Sequence, residues 1–227
     1  GSVLLGTNLT IGIEGGTSQI VDLSALSPTG LEKITEGSST GWRFIGTDPA
    51  KHGSIGNNAV DLSYSSNFSS TYGATGNNAT AMGLNTIASG NKSTSLGNFS
   101  VAAGGSSLAS GNHTNASGTY SVAMGNNTNA PSANEMVIGS YNTIYTPLGS
   151  SSGWSNSDRL FTIGNGLSSS LKSNALIIYK DGRMNINDAY TMPNSDGALN
   201  QVLTTDGAGN VSWSDAMDTD WSYNGAD

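Results

Sequence analysis

The chain has 227 residues, of which only 11% are charged, and its 16 acidic and 8 basic side chains give a formal net charge of −8. This acidic balance argues against a nucleic-acid partner, because binding to phosphates needs clustered lysine and arginine. The absence of cysteine excludes a disulfide framework, and no apolar run approaches the roughly 20 residues that a membrane-spanning helix needs.

The first part of the chain predicts short β-strands. Two apolar runs, Leu9 to Ile13 and Ile20 to Leu23, flank Gly15-Gly16 and indicate a hairpin. A further strand is predicted at Trp42 to Gly46, where Asp48-Pro49 follows and ends it with a turn.

Glycine then recurs at every seventh position through residues 76–131. When each heptad is counted from its glycine as position zero, position five is alanine or serine and position three is nearly always serine or threonine. A period held this strictly indicates a repeat architecture. The structural turn glycines that it predicts are Gly76, Gly83, Gly90, Gly97, Gly104, Gly111, Gly118 and Gly125.

Residue chemistry separates the folds that could carry this period. A coiled coil needs large apolar residues at two heptad positions, and a glycine in every heptad would cost a helix roughly 1 kcal/mol each. Collagen needs glycine at every third residue. The calcium-binding nonapeptide β-helix needs aspartates, whereas residues 76–131 contain no acid. The pattern therefore predicts an all-β parallel solenoid, a flattened β-roll in which two heptads form one fourteen-residue coil.

Alternation along each predicted strand gives the roll two different faces. Positions three and five are so small that a second backbone layer should lie very close, with glycine adopting positive φ at the corners. Positions four and six of alternate heptads carry larger apolar side chains that so thin a coil cannot bury. We expect copies of the same chain to cover them in a homo-oligomer, at Met82, Leu96, Leu108, Val122 and Met124.

The two ends of the roll need separate solutions, because an open coil exposes its edges and its interior. Trp42 and Phe44 are candidates for a plug at the N-terminal end, or else belong to an ordinary small core. At the other end the glycine lattice is interrupted at Ser132, and Val137 replaces the inner alanine, so the roll should widen or end near Gly139. These limits divide the chain into an N-terminal β cap segment (1–55), a β-roll (56–139), an aromatic loop (140–158) and a C-terminal β-hairpin region (159–227).

The loop at 140–158 is rich in serine and glycine and carries exposed aromatic candidates. Long loops of this kind are often functional, and aromatic rings beside hydroxyls suit a sugar-binding surface. The alternative is that the rings pack under a neighbouring subunit. The possible ligand-binding residues are Tyr141, Tyr145 and Trp154.

The last part of the chain predicts short strands joined by tight turns. The Asp181-Gly182 pair is typical of a two-residue hairpin turn. The predicted strands are Leu160 to Ile163, Ala175 to Tyr179, Met184 to Ile186, Gln201 to Thr205 and Val211 to Trp213.

Small motifs recur at fourteen-residue spacing within the repeat. They are Ala81-Met82-Gly83, Ser95-Leu96-Gly97 and Ser121-Val122-Ala123-Met124-Gly125, with Ile87-Ala88-Ser89-Gly90 and Val101-Ala102-Ala103-Gly104 between them. This pattern resembles the YadA-like head repeat of trimeric autotransporter adhesins. The resemblance implies a left-handed parallel β-roll, three chains to a head, on a surface fibre. The neck, stalk and membrane anchor that usually follow such heads are not recognisable, so we expect the chain to be part of a longer protein.

The resemblance implies a non-enzymatic structural and adhesive module of a homotrimeric fibre, extracellular on the bacterial cell surface, with a host receptor or glycan as partner. Phage fibres also use such repeats, so a tail-fibre shaft or receptor-binding part on a virion is an alternative. A glycan-active fibre enzyme with acids outside the roll is another alternative.

No cofactor or metal site is predicted, because His52 and His113 lie far apart in sequence and His113 falls at a solvated corner. Asn98, Asn112 and Asn126 are predicted to stack as an amide ladder.

Overall fold

The computed structural model describes residues 3–5, 8–11, 15–17, 19–22 and 30–216. This part of the chain forms β-strands and one short 3-10 turn at Pro49–Lys51. The strands are β1 (Val3–Leu5), β2 (Asn8–Ile11), β3 (Gln19–Asp22), β4 (Leu31–Glu36), β5 (Ser39–Phe44), β6 (Val60–Tyr64), β7 (Gly73–Ala74), β8 (Thr80–Leu84), β9 (Ile87–Ala88), β10 (Thr94–Asn98), β11 (Val101–Ala102), β12 (Leu108–Asn112), β13 (Asn115–Ala116), β14 (Val122–Asn126), β15 (Asn129–Ala130), β16 (Met136–Ser140), β17 (Arg159–Asn165), β18 (Asn174–Tyr179), β19 (Met184–Ile186), β20 (Tyr190–Met192), β21 (Gln201–Thr205) and β22 (Val211–Asp215).

Two sheets face each other across the repeat, and both are parallel there. The long sheet has twelve strands (β4–β6, β8, β10, β12, β14 and β16–β20), and the short sheet has five (β7, β9, β11, β13 and β15). The five-residue strands β8, β10, β12 and β14 pair in register on one side, so that Thr94 lies between Thr80 and Leu108. The two-residue strands β9, β11, β13 and β15 pair in the same way on the other side. The prediction of a parallel roll with fourteen-residue coils is confirmed, although its two strands differ in length.

The interior of the roll is filled by methyl and hydroxyl groups, as the heptad pattern predicts. All the inner residues at position five are 0% exposed, and they form the core together with Val137. Two of the hydroxyls at position three satisfy backbone carbonyls: Ser107 Oγ donates to Gly104 O at 2.7 Å and Ser100 Oγ donates to Gly111 O at 3.0 Å. Others have no partner among the described residues, namely those of Thr86, Ser93, Ser121 and Thr128. The inner residues at position five are Ala81, Ala88, Ser95, Ala102, Ala109, Ala116, Ala123 and Ala130.

Close approach of neighbouring coils explains the glycine row better than backbone conformation does. Gly83, Gly97, Gly111 and Gly125 have positive φ, but Gly76, Gly90, Gly104 and Gly118 do not. The expectation that all eight need positive φ is therefore wrong. At every one of them a Cβ atom would instead overlap a backbone carbonyl of the next coil.

A left-handed turn residue lies at position two of each heptad, and none of these eight residues is glycine. Here the chain reverses between the long and short strands, with φ between 48° and 60° in the repeat. Asparagine and histidine are enriched in this conformation, whereas phenylalanine and tyrosine adopt it rarely. The residues are Asn78, Asn85, Lys92, Phe99, Ser106, His113, Tyr120 and Asn127.

The N-terminal end of the roll is closed by a buried ionic cluster. Arg43 Nε lies 3.2 Å from Asp61 Oδ2, and His52 Nδ1 lies 2.9 Å from the same oxygen. All three side chains are buried, and Ile55 packs beside the inner alanines. The prediction that Trp42 and Phe44 plug the coil is wrong: side chains alternate along β5, so Arg43 points inward while Phe44 is 46% exposed.

The C-terminal end widens and then turns antiparallel. The short sheet stops at β15, while β16 pairs in parallel with β17, which pairs antiparallel with β18. Val137, Thr162 and Ile177 are register neighbours on the adjacent strands β16, β17 and β18, and all three are buried at this end of the roll. The predicted hairpins are confirmed as β18–β19, with Gly182 at positive φ, and as β21–β22. The hairpin predicted near the N-terminus is confirmed as β2–β3. Residues 217–227 lie outside the described residues.

Gly104 and Gly105 offer a matched pair for testing this packing. A Cβ atom at Gly104 would overlap the Gly118 carbonyl, whereas one at Gly105 would meet only Thr119 Cγ2, at 3.8 Å. We expect Gly104→Ala to lower the free energy of unfolding by at least about 2 kcal/mol, since two backbones would have to separate. Gly105→Ala should change it by no more than about 0.5 kcal/mol. Chemical denaturation measures both, and equal stabilities would contradict the close-approach explanation.

Candidate functional site

The outer face of the twelve-stranded sheet carries two continuous rows of mostly apolar side chains, which we call the apolar stripe. Parallel pairing in register places the same strand position of successive coils side by side, so that a sequence period becomes a row. The first row is Val60, Thr80, Thr94, Leu108, Val122, Met136, Phe161 and Ile178, and the second is Leu62, Met82, Leu96, Ser110, Met124, Ile138, Ile163 and Leu176.

The stripe contains all five residues predicted to form the interface between chains. Met82 is 47% exposed and Met124 39%, while Leu96, Leu108 and Val122 are half-buried by their row neighbours. The rows cross eight strands at about 4.8 Å each, a length of roughly 34 Å. Neither row contains a charged residue. Monomeric proteins rarely leave so long an apolar surface uncovered.

A polar row borders the stripe. Asn98 Nδ2 donates to Asn112 Oδ1 at 2.7 Å, and Asn112 Nδ2 donates to Asn126 Oδ1 at 2.9 Å. The predicted amide ladder is therefore confirmed. In the neighbouring turn row, the rings of Phe99 and His113 stack with centroids 4.9 Å apart. The stripe thus has the apolar centre and hydrogen-bonding border that are typical of a protein interface.

The aromatic loop separates the three predicted ligand-binding residues. Tyr141 continues the left-handed turn row, with φ of 41°, next to Asn127. Tyr145 is half-buried: its hydroxyl donates to Glu135 Oε2 at 3.2 Å, and its ring lies 4.3 Å from the Arg159 guanidinium. Of the three, Trp154 is the most exposed, at 57%.

Trp154 is held in place although it is exposed. Its Nε1 donates to Asn156 Oδ1 at 2.8 Å, and Lys180 Nζ lies 4.9 Å from the ring centroid. Lys180 Nζ also donates to Ser132 Oγ at 2.6 Å, which ties the loop to the end of the roll. The indole is therefore fixed at both its edge and its face.

Glu135 lies beneath the loop and is 0% exposed. It takes position three of its heptad, counted from Ser132, where the earlier coils carry alanine, serine or threonine. Its Oε2 accepts hydrogen bonds from Ser132 N at 3.0 Å and from Tyr145, while Oε1 has no partner among the described residues. Burial raises the pKa of Glu135 to about 7, although the Ser132 amide and the nearby Arg159 oppose the shift.

The buried cluster at the other end of the roll was not found from the sequence. Burial opposes ionisation of Asp61, but hydrogen bonds from His52 and Ser63 outweigh it and lower the pKa of Asp61. Arg43 also donates to Glu36 Oε1 at 3.0 Å and to the Gly53 carbonyl. Ser63 is two residues from Asp61, and the other partners lie between 7 and 18 residues apart in sequence, with no common spacing. Because the side chains of this cluster bond to one another, we interpret the cluster as a structural cap.

Comparison with known proteins identifies the repeat. A model of the YadA head domain repeat matches the chain twice, at residues 74–100 and 102–128. Residues 74–128 of the β-roll contain two YadA head repeats. No curated protein and no solved structure matches the chain significantly.

The two YadA head repeats coincide with the most regular part of the fold. Each covers two whole strands of the long sheet, one whole strand of the short sheet and the last residue of another short strand. This repeat is typical of the adhesive modules of trimeric autotransporter adhesins. No helix in the described ranges is long and apolar enough to cross a membrane.

The buried Glu135 beside the YadA head repeats predicts an unusual pH dependence of stability. Between about pH 4.5, the ordinary pKa, and about pH 7, the folded chain binds more protons at Glu135 than the unfolded chain does. The ionisation of Glu135 therefore lowers the free energy of unfolding as the pH rises through that window, by up to about 3 kcal/mol. Glu135→Gln should remove the loss and be more stable than the original chain at pH 8, measured by chemical denaturation.

The exposed Asp196 provides the control for this experiment. Asp196→Asn changes a carboxylate to an amide outside the roll and should leave the pH dependence unaltered. If Glu135→Gln is no more stable than the original chain at pH 8, the buried carboxylate does not destabilise the folded state as described.

Proposed function

We propose that the chain is a non-enzymatic adhesive module of a homotrimeric fibre, extracellular on the bacterial cell surface. The observation that carries the proposal is the apolar stripe beside YadA head repeats. The described interior takes only methyl and hydroxyl groups over most of the roll, so each coil buries little apolar area of its own. Covering the stripe with two further copies would supply the missing burial, at about 25 cal/mol per Å² of apolar surface.

Three copies also fit the position of the polar residues. In the proposed trimer the stripes face one another, the amide ladder lies at the border of the interface, and the five-stranded sheets face solvent. The outer side chains of the five-stranded sheet include Asn115, Ser117 and Asn129, which suit an exposed surface. The four proposed regions, 1–55, 56–139, 140–158 and 159–227, then follow one another along the fibre.

The mass of the particle in solution tests the assembly. We expect light scattering after size exclusion to give three times the chain mass of 23.1 kDa. Met124→Asp would place a charge in the centre of each interface and should dissociate the trimer. Ser117→Asp, which adds the same charge on the opposite sheet, should leave the mass unchanged. A mass of one chain for the original protein would overturn the proposal.

We further propose that Trp154 contacts the host receptor or glycan. An aromatic side chain that is exposed yet already fixed, here by Asn156 and Lys180, loses little conformational entropy on binding. Aromatic residues are also enriched among those that contribute most to binding. Tyr145 supports the loop from beneath, through Glu135 and Arg159, and Tyr141 lies on the turn row apart from Trp154.

Trp154→Ala should reduce binding of the intact protein to host cells at least about tenfold, while the particle mass stays unchanged. Tyr120→Ala removes another exposed aromatic side chain, on the roll, and should leave binding unaltered. The mass measurement separates the two roles of Trp154 that the sequence leaves open. If Trp154→Ala dissociates the particle, the ring packs between subunits and the receptor role is wrong.

A further inference from the structure

A small polar cleft lies where the five-stranded sheet meets the loop between β17 and β18. Its volume is about 150 Å³, equivalent to roughly five water molecules at ~30 Å³ each. Its walls come from two adjacent coils of the roll and from two later segments of the chain. The lining residues are His113, Asn115, Asn127, Thr128, Asn129, Ile144, Ser169 and Lys172.

The repeat accounts for the arrangement of amides in this cleft. Asn115 and Asn129 are register partners at the start of β13 and β15, so their side chains leave the same face of the short sheet. Asn127 stands in the turn just before Asn129. The corresponding positions of earlier coils, Ile87 and Val101, are apolar, so the cluster of amides is confined to the end of the roll.

One buried acceptor beside the cleft has no hydrogen-bond partner among the described residues, the Oδ1 of Asn129. The Asn129 backbone, by contrast, is fully engaged by Asn142, at 2.8 and 3.0 Å. Burying polar atoms without partners costs free energy. A hydrogen-bond donor on a bound molecule would satisfy this oxygen.

The charge of the cleft is opposite to that of the chain. The formal net charge is −8, but no acidic residue lines the cleft, and Lys172 does. Within the described residues Lys172 makes no ion pair. Ile144, which is 60% exposed, adds one apolar contact to this otherwise polar wall.

We propose that this cleft binds one carboxylated sugar unit of a glycan, such as a uronic or sialic acid residue. Lys172 pairs with the carboxylate, and the amides of Asn115, Asn127 and Asn129 exchange hydrogen bonds with the ring hydroxyls. Ile144 contacts the C–H groups of the ring. The small volume admits a single ring edge rather than an oligosaccharide.

The inference takes the glycan as partner from the proposed adhesive function, but it does not depend on the trimer. The cleft is built within one chain, from the short sheet and not from the apolar stripe. It would therefore stay accessible in the proposed assembly. A particle mass of one chain would overturn the trimer and leave the binding measurements interpretable.

Saturation-transfer NMR titrations of the full chain test the proposal with small probes. Methyl β-D-glucuronide and the methyl α-glycoside of N-acetylneuraminic acid distinguish the two acidic sugars, and binding of either one supports the proposal. Methyl β-D-glucoside differs from the glucuronide only in having a hydroxymethyl group in place of the carboxylate, and acetate has the carboxylate without the ring. We expect both of these to bind at least about tenfold more weakly than the preferred acidic sugar.

Two variants locate the site. Lys172→Gln removes the positive charge and Asn129→Asp adds a negative one, so each should weaken binding of the acidic sugar at least about tenfold. Lys92→Gln, at a turn outside the cleft, should change it by less than about twofold. The proposal is overturned if neither acidic sugar binds saturably, if the glucoside or acetate binds as well, or if both variants, folded as judged by their circular dichroism, bind like the original chain.

Discussion

The small distance between the two sheets of the roll determines which residues fit inside it and where the large apolar side chains lie. A gap that admits only methyl and hydroxyl groups requires alanine, serine or threonine at the inner positions of the repeat, and glycine wherever the backbones of successive coils touch. Because such a core buries little apolar surface, the larger side chains are placed outside, in register along the long sheet. The apolar stripe follows from the thinness of the roll, and so does the proposed trimer.

Periodicity made the middle of the chain predictable, since a regular sequence can form only a regular structure. The inner alanines, the outer methionines and the Asn98–Asn112–Asn126 ladder all follow from counting heptads. Counting heptads did not predict why the glycines are needed, because a glycine required for positive φ and a glycine required for close contact between backbones look the same in the sequence. Asparagines at position two, such as Asn78 and Asn127, were an overlooked indication of the turn.

The ends of the roll were predicted less well, because contacts there join residues without a common spacing. Arg43, His52 and Asp61 come together only in the folded cap, so their cluster could not be predicted from sequence spacing. The aromatic plug predicted at Trp42 is wrong because the alternation of side chains along the strand points Arg43 inward instead. Glu135 did leave a trace in the sequence, as an acid at an inner position of the lattice. The proposed sugar cleft combines repeat residues with Lys172 from beyond the roll, and only the folded chain brings these together.

Residue-for-residue pairing between coils has a consequence for how such a head can change in length. Since every coil presents identical edges to its neighbours, duplication or loss of fourteen residues within the repeat would leave both caps and every remaining pairing intact. Each added coil would extend the head by about 4.8 Å, the spacing of one strand. The length of the head could thus evolve in uniform steps of one coil, without any change to the residues at its two ends.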